Sequence, residues 1–358
     1  MLSFAEAPRS LCILRLSAIG DTCHVVPIVR TLQQAWPATQ LTWIIGKTEA
    51  RLMHLIEGVE FITVDKRSRA AALAAQLRGR RFDVLLHMQL ALRASLIAAR
   101  ARAGIKLGFD RARARELQWL FTNARIAPRT REHVLDSFFG FLEALGIRER
   151  LLRWDLPLPE DARAYAERLI PDEQPTLVIS PCSSHVLRNW PAARYAALAA
   201  HAVTRHGMRV ILAGGGSLLE RSAGEQIERA CAAPLVNQIG KDTLPELLAL
   251  LARARVLLSP DSGPAHMATM AGTPVIGLYA ATNPARSGPY LSRRWCVDAY
   301  PEAARVFRGL EPEELPWTHK IEEPGVMELI GVEQVSARLD ELMAEAPPGQ
   351  PLRGTPMQ

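Results

Sequence analysis

Two consecutive doubly wound α/β halves are what this 358-residue sequence predicts, and three features predict it. Short apolar runs alternate with helical stretches along residues 13–102. Pro157, Pro159, Pro171 and Pro175 then bracket a single helical stretch, the texture of a connection between domains. Beyond them a second alternation begins. A repeated β-α-β-α order argues for parallel sheets covered by helices.

Taken in order, Ile13, Leu14 and Leu16 sit in a short apolar run that reads as a buried strand ending at Ser17. Ala18-Ile19-Gly20-Asp21 is a turn, and residues 22–35 carry a helical pattern stopped by Trp36-Pro37. Residues 41–45 and 61–64 read as strands around a helix at 51–57. The alanine-rich stretch 70–77 is helical, since alanine has the highest helix propensity. A strand at 83–87 and a helix at 91–102 complete the first half. After the connecting helix at 161–169, strands are expected at 176–180, 209–213, 256–258 and 275–278. Helices are expected at 192–206 with a stop at Gly207, and at 218–230, 244–254 and 264–271. From Glu302 the chain is acidic and proline-punctuated, with one helix at 332–344. The domains are thus 1–160 and 161–345, the last helix being free to pack back on the first domain. Residues 346–358 hold four prolines and few apolar side chains and read as a disordered tail.

Composition narrows the class. Hydrophobic residues at 48% and charged residues at 22% are the balance of a globular chain rather than a disordered one. No apolar run reaches the ~18 residues of a membrane span, and the N-terminus lacks the order of a secretory signal. A cytoplasmic protein is the expectation. Cys12, Cys23, Cys182, Cys231 and Cys296 are scattered and never spaced as CxxC, so they read as inert thiols rather than disulfides or zinc ligands. The net charge of +6 is uneven: residues 66–153 hold 19 Lys and Arg against 7 Asp and Glu, a balance of +12, leaving −6 elsewhere. That stretch either attracts an anionic partner or is a solvated arginine-rich surface. Nucleic acid is not the expected partner, for neither an aromatic RNP pattern nor zinc-finger spacing is present. HExxH, EF-hand and GxSxG signatures are also missing from the sequence.

Three segments fall at strand carboxyl ends, where open parallel sheets collect ligands. The first, Ser259-Pro260-Asp261-Ser262-Gly263-Pro264-Ala265-His266, follows a strand and opens a helix. Asp261 and Ser262 suit an N-cap and Pro264 a first turn. The segment is either a plain capped helix or an anion site made of free amides, with Gly263 leaving room and His266 adding a donor. The second runs from Ser180 to Pro191. Ser183 and Ser184 can bind phosphate oxygens, and Arg188 offers a bidentate fork. His185 reads more readily as a surface histidine than a catalytic one, and Trp190 as a packing anchor. The third, Ser17 to His24, holds Asp21, which serves either as an N-cap or as a general base, with His24 within range of it. Gly214-Gly215-Gly216 lacks GxGxxG spacing and the Walker lysine, so it is a weak phosphate signal. Glu220, on the helix that follows, is suited to accept from ribose hydroxyls.

With LRLSAIGDTCHVVPIVRTLQQAWP, SPCSSHVLRNWPAARYAALA, LVNQIGKDTLPELLALLARARVLLSPDSGPAHMA and VIGLYAATNPARSGPY in this order, the sequence resembles glycosyltransferase family 9 along nearly its whole length. Its best-known members are ADP-heptose:lipopolysaccharide heptosyltransferases. The resemblance implies a GT-B fold, two Rossmann-like domains facing across a cleft, with acceptor on the N-terminal domain and nucleotide-sugar on the C-terminal one. It implies inverting transfer, Asp21 deprotonating the acceptor hydroxyl. It assigns Ser183, Ser184, Arg188, Ser262, Gly263 and His266 to the donor diphosphate, Asp261 to donor sugar hydroxyls, Glu220 to the ribose and the backbone near Asp242 to the base. No metal and no cofactor are expected; the donor, ADP-heptose first, is a substrate. An anionic lipopolysaccharide-type acceptor is the expected partner, with peripheral contact at the inner membrane surface. Another nucleotide-activated sugar on a different polysaccharide or glycolipid, or a non-catalytic relative that only binds nucleotide-sugars, are the alternatives. Two positions depart from the family pattern: Arg188 stands where lysine is common, and Asn283 where aspartate is usual.

Overall fold

The computed structural model describes residues 6–65 and 70–345. The chain divides into two compact units, residues 1–157 and 158–358.

The first unit is built on a six-stranded sheet. Its strands are β1 (Ser10–Leu14), β2 (Gln40–Gly46), β3 (Val59–Val64), β4 (Arg81–His87), β5 (Arg102–Gly108) and β6 (Ala124–Arg125). They run parallel in the order β3-β2-β1-β4-β5-β6. The helices are α1 (Ile19–Ala35), α2 (Lys47–Met53), α3 (Ala70–Leu77), α4 (Leu92–Arg100) and α5 (Val134–Ala144). Central strands covered on both faces must be apolar throughout, and Leu11, Cys12, Ile13 and Leu14 of β1 are all fully buried. β5 escaped the sequence reading because Arg102 and Lys106 interrupt its apolar residues. α5 also lay outside it, although Leu135, Phe138, Phe139, Phe141 and Leu142 are buried by this helix.

The second unit repeats the plan. Its strands are β7 (Thr176–Ile179), β8 (Arg209–Leu212), β9 (Val236–Asn237), β10 (Val256–Pro260), β11 (Val275–Tyr279) and β12 (Val297–Asp298). They are parallel in the order β12-β11-β10-β7-β8-β9, so each sheet reverses direction beside its first strand, as Rossmann-like sheets do. Its helices are α6 (Glu160–Leu169), α7 (Ala192–His206), α8 (Leu218–Ala230), α9 (Leu244–Arg253), α10 (Gly263–Ala271), α11 (Pro284–Ser287), α12 (Tyr300–Arg308) and α13 (Val332–Glu345). Gly207 stops α7 in the left-handed region (φ +61°), which its lack of a Cβ permits. α12 corrects the expectation of a single helix after Glu302: Pro301 sits in its first turn, where the missing N–H costs nothing. α13 buries Val335, Leu339 and Leu342 in the second unit's own core. The expected tail at 346–358 lies outside the described residues.

Candidate functional site

In the first unit, the loops after β1 and β4 meet where the strand order reverses. Arg15 follows β1 directly and donates through Nη1 to the Met88 carbonyl at 2.6 Å. Its Nη2 pairs with Asp21 Oδ2 in a very short contact. The same Oδ2 accepts the Ala18 N–H at 3.4 Å, so Asp21, three residues into α1, reaches back over its own N-terminus. Below lies the Phe138 ring, 5.3 Å from the Arg15 guanidinium. Gln89 Oε1 takes the Leu16 N–H at 2.6 Å, which ties the two loops together. Asp21 is thus held by a charge and an amide, yet its side chain stays 31% exposed and its Oδ1 has no hydrogen bond among the described residues. His24 is buried with its ring edge-on to His133, 5.2 Å between centroids. Nearby, burial, with Lys106 and Arg15 adding to it, pushes the fully buried His87 down to about 4, so this ring is neutral.

In the second unit the corresponding loops follow β7 and β10, again neighbours at the reversal. Ser183 Oγ donates to the Asp261 carbonyl at 2.8 Å, and Asn189 Oδ1 takes the Ser183 N–H at 2.7 Å. Ser262 is the N-cap of α10, but its hydroxyl lies 2.7 Å from Ser259 Oγ and caps no amide. The helix begins at this turn as expected, without the side-chain cap that Ser262 was suited to make. The first-turn amides of Gly263 and Ala265 are therefore not answered by that side chain, and uncapped amides at the positive end of a helix are suited to an anion. Ser287 Oγ donates to Asp261 Oδ2 at 3.2 Å, and His266 is buried in the first turn. Ser184 is exposed in the facing loop.

Arg188 joins this cluster through a partner that the sequence reading missed. Its Nε donates to Glu322 Oε1 at 2.7 Å, and its Nη2 contacts the same oxygen more closely. Burial alone would raise the Glu322 carboxyl, but the Arg188 hydrogen bond and charge, with His185 and Lys320, hold it below the usual range. Lys320 was also missed; burial, then Arg188, lowers its ammonium, while Glu322 and Asp261 oppose that. These residues stand 132 to 134 positions beyond Arg188 in an irregular segment, so no local pattern signals them. Trp190 is a packing anchor, its indole N–H donating to the Ile330 carbonyl at 2.9 Å. Asn283 caps α11 through Oδ1, which accepts the Ala285 N–H at 2.9 Å, a bond that an aspartate would make equally well.

Glu220 and Asp242 sit on the flank of the second unit. Glu220 Oε1 accepts the Gly215 N–H at 2.7 Å, and Oε2 accepts from Ser217 Oγ at 2.5 Å, a capping box that opens α8. The glycines here serve close approach: a Cβ on Gly215 would lie 2.8 Å from Glu220 Oε2, and one on Gly240 2.9 Å from the Gly216 Cα. Asp242 precedes Thr243, the N-cap of α9, and its buried Oδ2 has no hydrogen-bond partner. Burial pushes this carboxyl up to about 7, with Glu246 and Glu220 contributing.

The five cysteines are free, and burial raises the thiols of Cys182 and Cys296 to about 12, in keeping with inert side chains. Among the described residues one group of metal-ligand type converges, His201, His206 and Asp340, and it shares no residue with the site above.

The model of glycosyltransferase family 9 (heptosyltransferase) matches residues 70–314. The lipopolysaccharide core heptosyltransferase OpsX of Haemophilus influenzae is 41% identical over 342 residues, 95% of this chain and 98% of that protein. The glycosyl transferase family 9 structure from Veillonella parvula superposes with a TM-score of 0.77 at 22% identity, over 94% of this chain and 98% of its own. Escherichia coli heptosyltransferase WaaC, solved with ADP, gives 0.70 at 19% identity, over 93% and 99%. At these identities the two structures speak for a shared fold.

Proposed function

The chain belongs to glycosyltransferase family 9, the heptosyltransferases, and from that premise we propose that it moves heptose from ADP-heptose onto a lipopolysaccharide core acceptor with inversion at the transferred carbon. The observation that carries this reading is the pairing of an uncapped α10 N-terminus with Ser183, Ser262 and the Glu322-held Arg188, a set of donors suited to a diphosphate. The matched relatives support it: one is named a lipopolysaccharide core heptosyltransferase and one was solved with ADP.

In the proposed reaction Asp21 Oδ1 takes the proton of the acceptor hydroxyl. The acceptor oxygen then bonds the anomeric carbon as the carbon–oxygen bond to the diphosphate breaks, and that electron pair leaves with the nucleoside diphosphate. Arg15 positions Asp21 and stabilises its charge before the acceptor arrives. The α10 amides are fixed dipoles aimed at the charge growing on the leaving group, and they need no reorganisation as it develops. Arg188 spends Nε and Nη2 on Glu322, which orients the fork and leaves Nη1 for a phosphate oxygen. Asp261, braced by Ser287, would accept from donor sugar hydroxyls, Glu220 from the ribose, and the backbone at Asp242 would hold the base. Ser184 and His266 complete the proposed phosphate contacts. The chemistry assigned to these residues calls for no cofactor.

We place the enzyme at the cytoplasmic face of the inner membrane. Among the described residues no helix is long and apolar enough to cross it. Support for a peripheral contact comes from the first unit, where Leu92, Leu96, Leu117 and Leu120 are exposed beside Arg93, Arg100, Arg111 and Arg115.

The test is turnover by the purified protein with a panel of nucleotide-sugars and a lipopolysaccharide core acceptor, read as nucleotide release. ADP release with ADP-heptose, lowered about 10²–10⁴-fold in Asp21→Asn at unchanged donor affinity, is the expected result. Preference for a different nucleotide-sugar would replace the donor assignment. Unaltered turnover in Asp21→Asn would remove the base.

A further inference from the structure

The amino ends of the second unit's strands lie opposite the diphosphate site, and there α7 and α13 bring together three side chains with no part in the transfer. We propose that His201, His206 and Asp340 form a site for one divalent transition-metal cation, zinc in class, that fastens α13 to α7.

His201 Nε2 lies 2.7 Å and His206 Nε2 2.6 Å from the same atom, Asp340 Oδ1. One ligand atom from each of the three residues falls within 4.8 Å of the others. The imidazoles stand five positions apart, a spacing that does not put two side chains on one helical face. They converge because His206 is the last residue of α7, just before the left-handed Gly207, with ring centroids 5.8 Å apart and planes at 73°. The site is half-buried, the side chains being 28%, 15% and 42% exposed.

Two readings share these distances. As a hydrogen-bonded clasp, both rings must carry their proton on Nε2 and crowd a single oxygen. As a ligand set, the protons move to Nδ1 and three lone pairs face one point, which small side-chain shifts would open to metal–ligand distances of ~2.0–2.2 Å. Two imidazole nitrogens and one carboxylate oxygen suit zinc and its first-row neighbours, whereas calcium and magnesium require more oxygen ligands.

Placement assigns the cation a structural role. α7 runs back along the sheet, and β8 starts three residues after His206. The cluster is therefore at the end of the sheet away from Ser183, Asp261 and Ser262. What it fastens is the last described helix, which buries Val335, Leu339 and Leu342 in the core of the second unit. A cation that binds only the folded unit stabilises it by mass action.

The experiment uses the full chain without a histidine tag, stripped with chelator and titrated with Zn²⁺ or, for a visible spectrum, Co²⁺. One cation per chain, a rise in Tm of about 5 °C at a hundredfold excess over Kd, and reversal by chelator are expected. His206→Gln and Asp340→Asn, two variants in case one does not fold, should lose uptake and the Tm response while binding ADP as the unaltered chain does. His54→Gln, outside the cluster, should keep both. Stoichiometric uptake that survives in both variants, or none by the unaltered chain, overturns the proposal; the latter leaves a hydrogen-bonded clasp only. ADP binding and turnover are measured separately, so failure here does not touch the transferase reading.

Discussion

Asp242 carries a buried carboxylate oxygen with no partner, a state that costs free energy whenever the group is charged. Its folded value near 7 stands above the unfolded 3.8, so the unfolded chain releases this proton first as pH rises. The stability it contributes is complete below about 3.8 and is lost progressively up to about 7. Asp242→Asn removes the ionisation while keeping the shape. Urea unfolding should find the variant more stable by about 1–3 kcal/mol at pH 8, with the gain fading towards pH 4. A gain that does not depend on pH would deny the titration. Arg188 teaches a different lesson at this scale. The sequence offers its charge, but its orientation belongs to Glu322, 134 positions away.

Some helix N-termini are closed by their own side chains, whereas α10, like α2, α4, α6 and α7, makes no side-chain cap. α8 and α9 each open with a capping box, Ser217 with Glu220 and Thr243 with Glu246. α10 opens with Ser262 turned to Ser259. Glu220 therefore has a structural role beside the proposed ribose contact, and two substitutions separate them. Glu220→Ala should cost about 1 kcal/mol of stability in thermal or urea unfolding and weaken ADP binding. Glu220→Gln can still bond the amides, so it should recover most of the stability without the charge. Equal ADP affinity in all three proteins would exclude the ribose role. Most elements were legible beforehand: residues 192–206 and 218–230 were read as α7 and α8 with those bounds. Their amphipathic periodicity is local, as is the glycine that stops α7. β6, β9 and β12 were not legible, since these two-residue edge strands are defined by the neighbour they pair with, and β5, paired on both sides, is hidden by Arg102 and Lys106 among its apolar residues.

Across the molecule, each unit gathers polar side chains in the loops after the strand pair where the order reverses, and each exposes other side chains elsewhere. On the first unit that surface joins exposed leucines to arginines. Leu117, 54% exposed, sits with Glu116 in the left-handed region, and Leu120 is 58% exposed. Exposed apolar side chains rimmed by basic ones suit an anionic lipid surface, where each basic residue contributes about 1 kcal/mol. Flotation with phosphatidylglycerol vesicles should carry the protein at low salt, and Leu117→Ser with Leu120→Ser should reduce recovery several-fold. Equal recovery with neutral vesicles would argue against it.

The sequence by itself determined the two α/β halves, the family and the positions of Asp21, Ser183, Ser262 and Asp261, because strand periodicity, helix signals and short motifs are carried by neighbouring residues. Only the tertiary structure decided that Arg15 braces Asp21, that Glu322 holds Arg188, that Ser262 leaves α10 uncapped and that His201 and His206 meet Asp340. Those contacts depend on angle and distance between segments that the fold brings together, and hydrogen bonds and ion pairs are decided by tenths of an ångström that no spacing along a chain encodes.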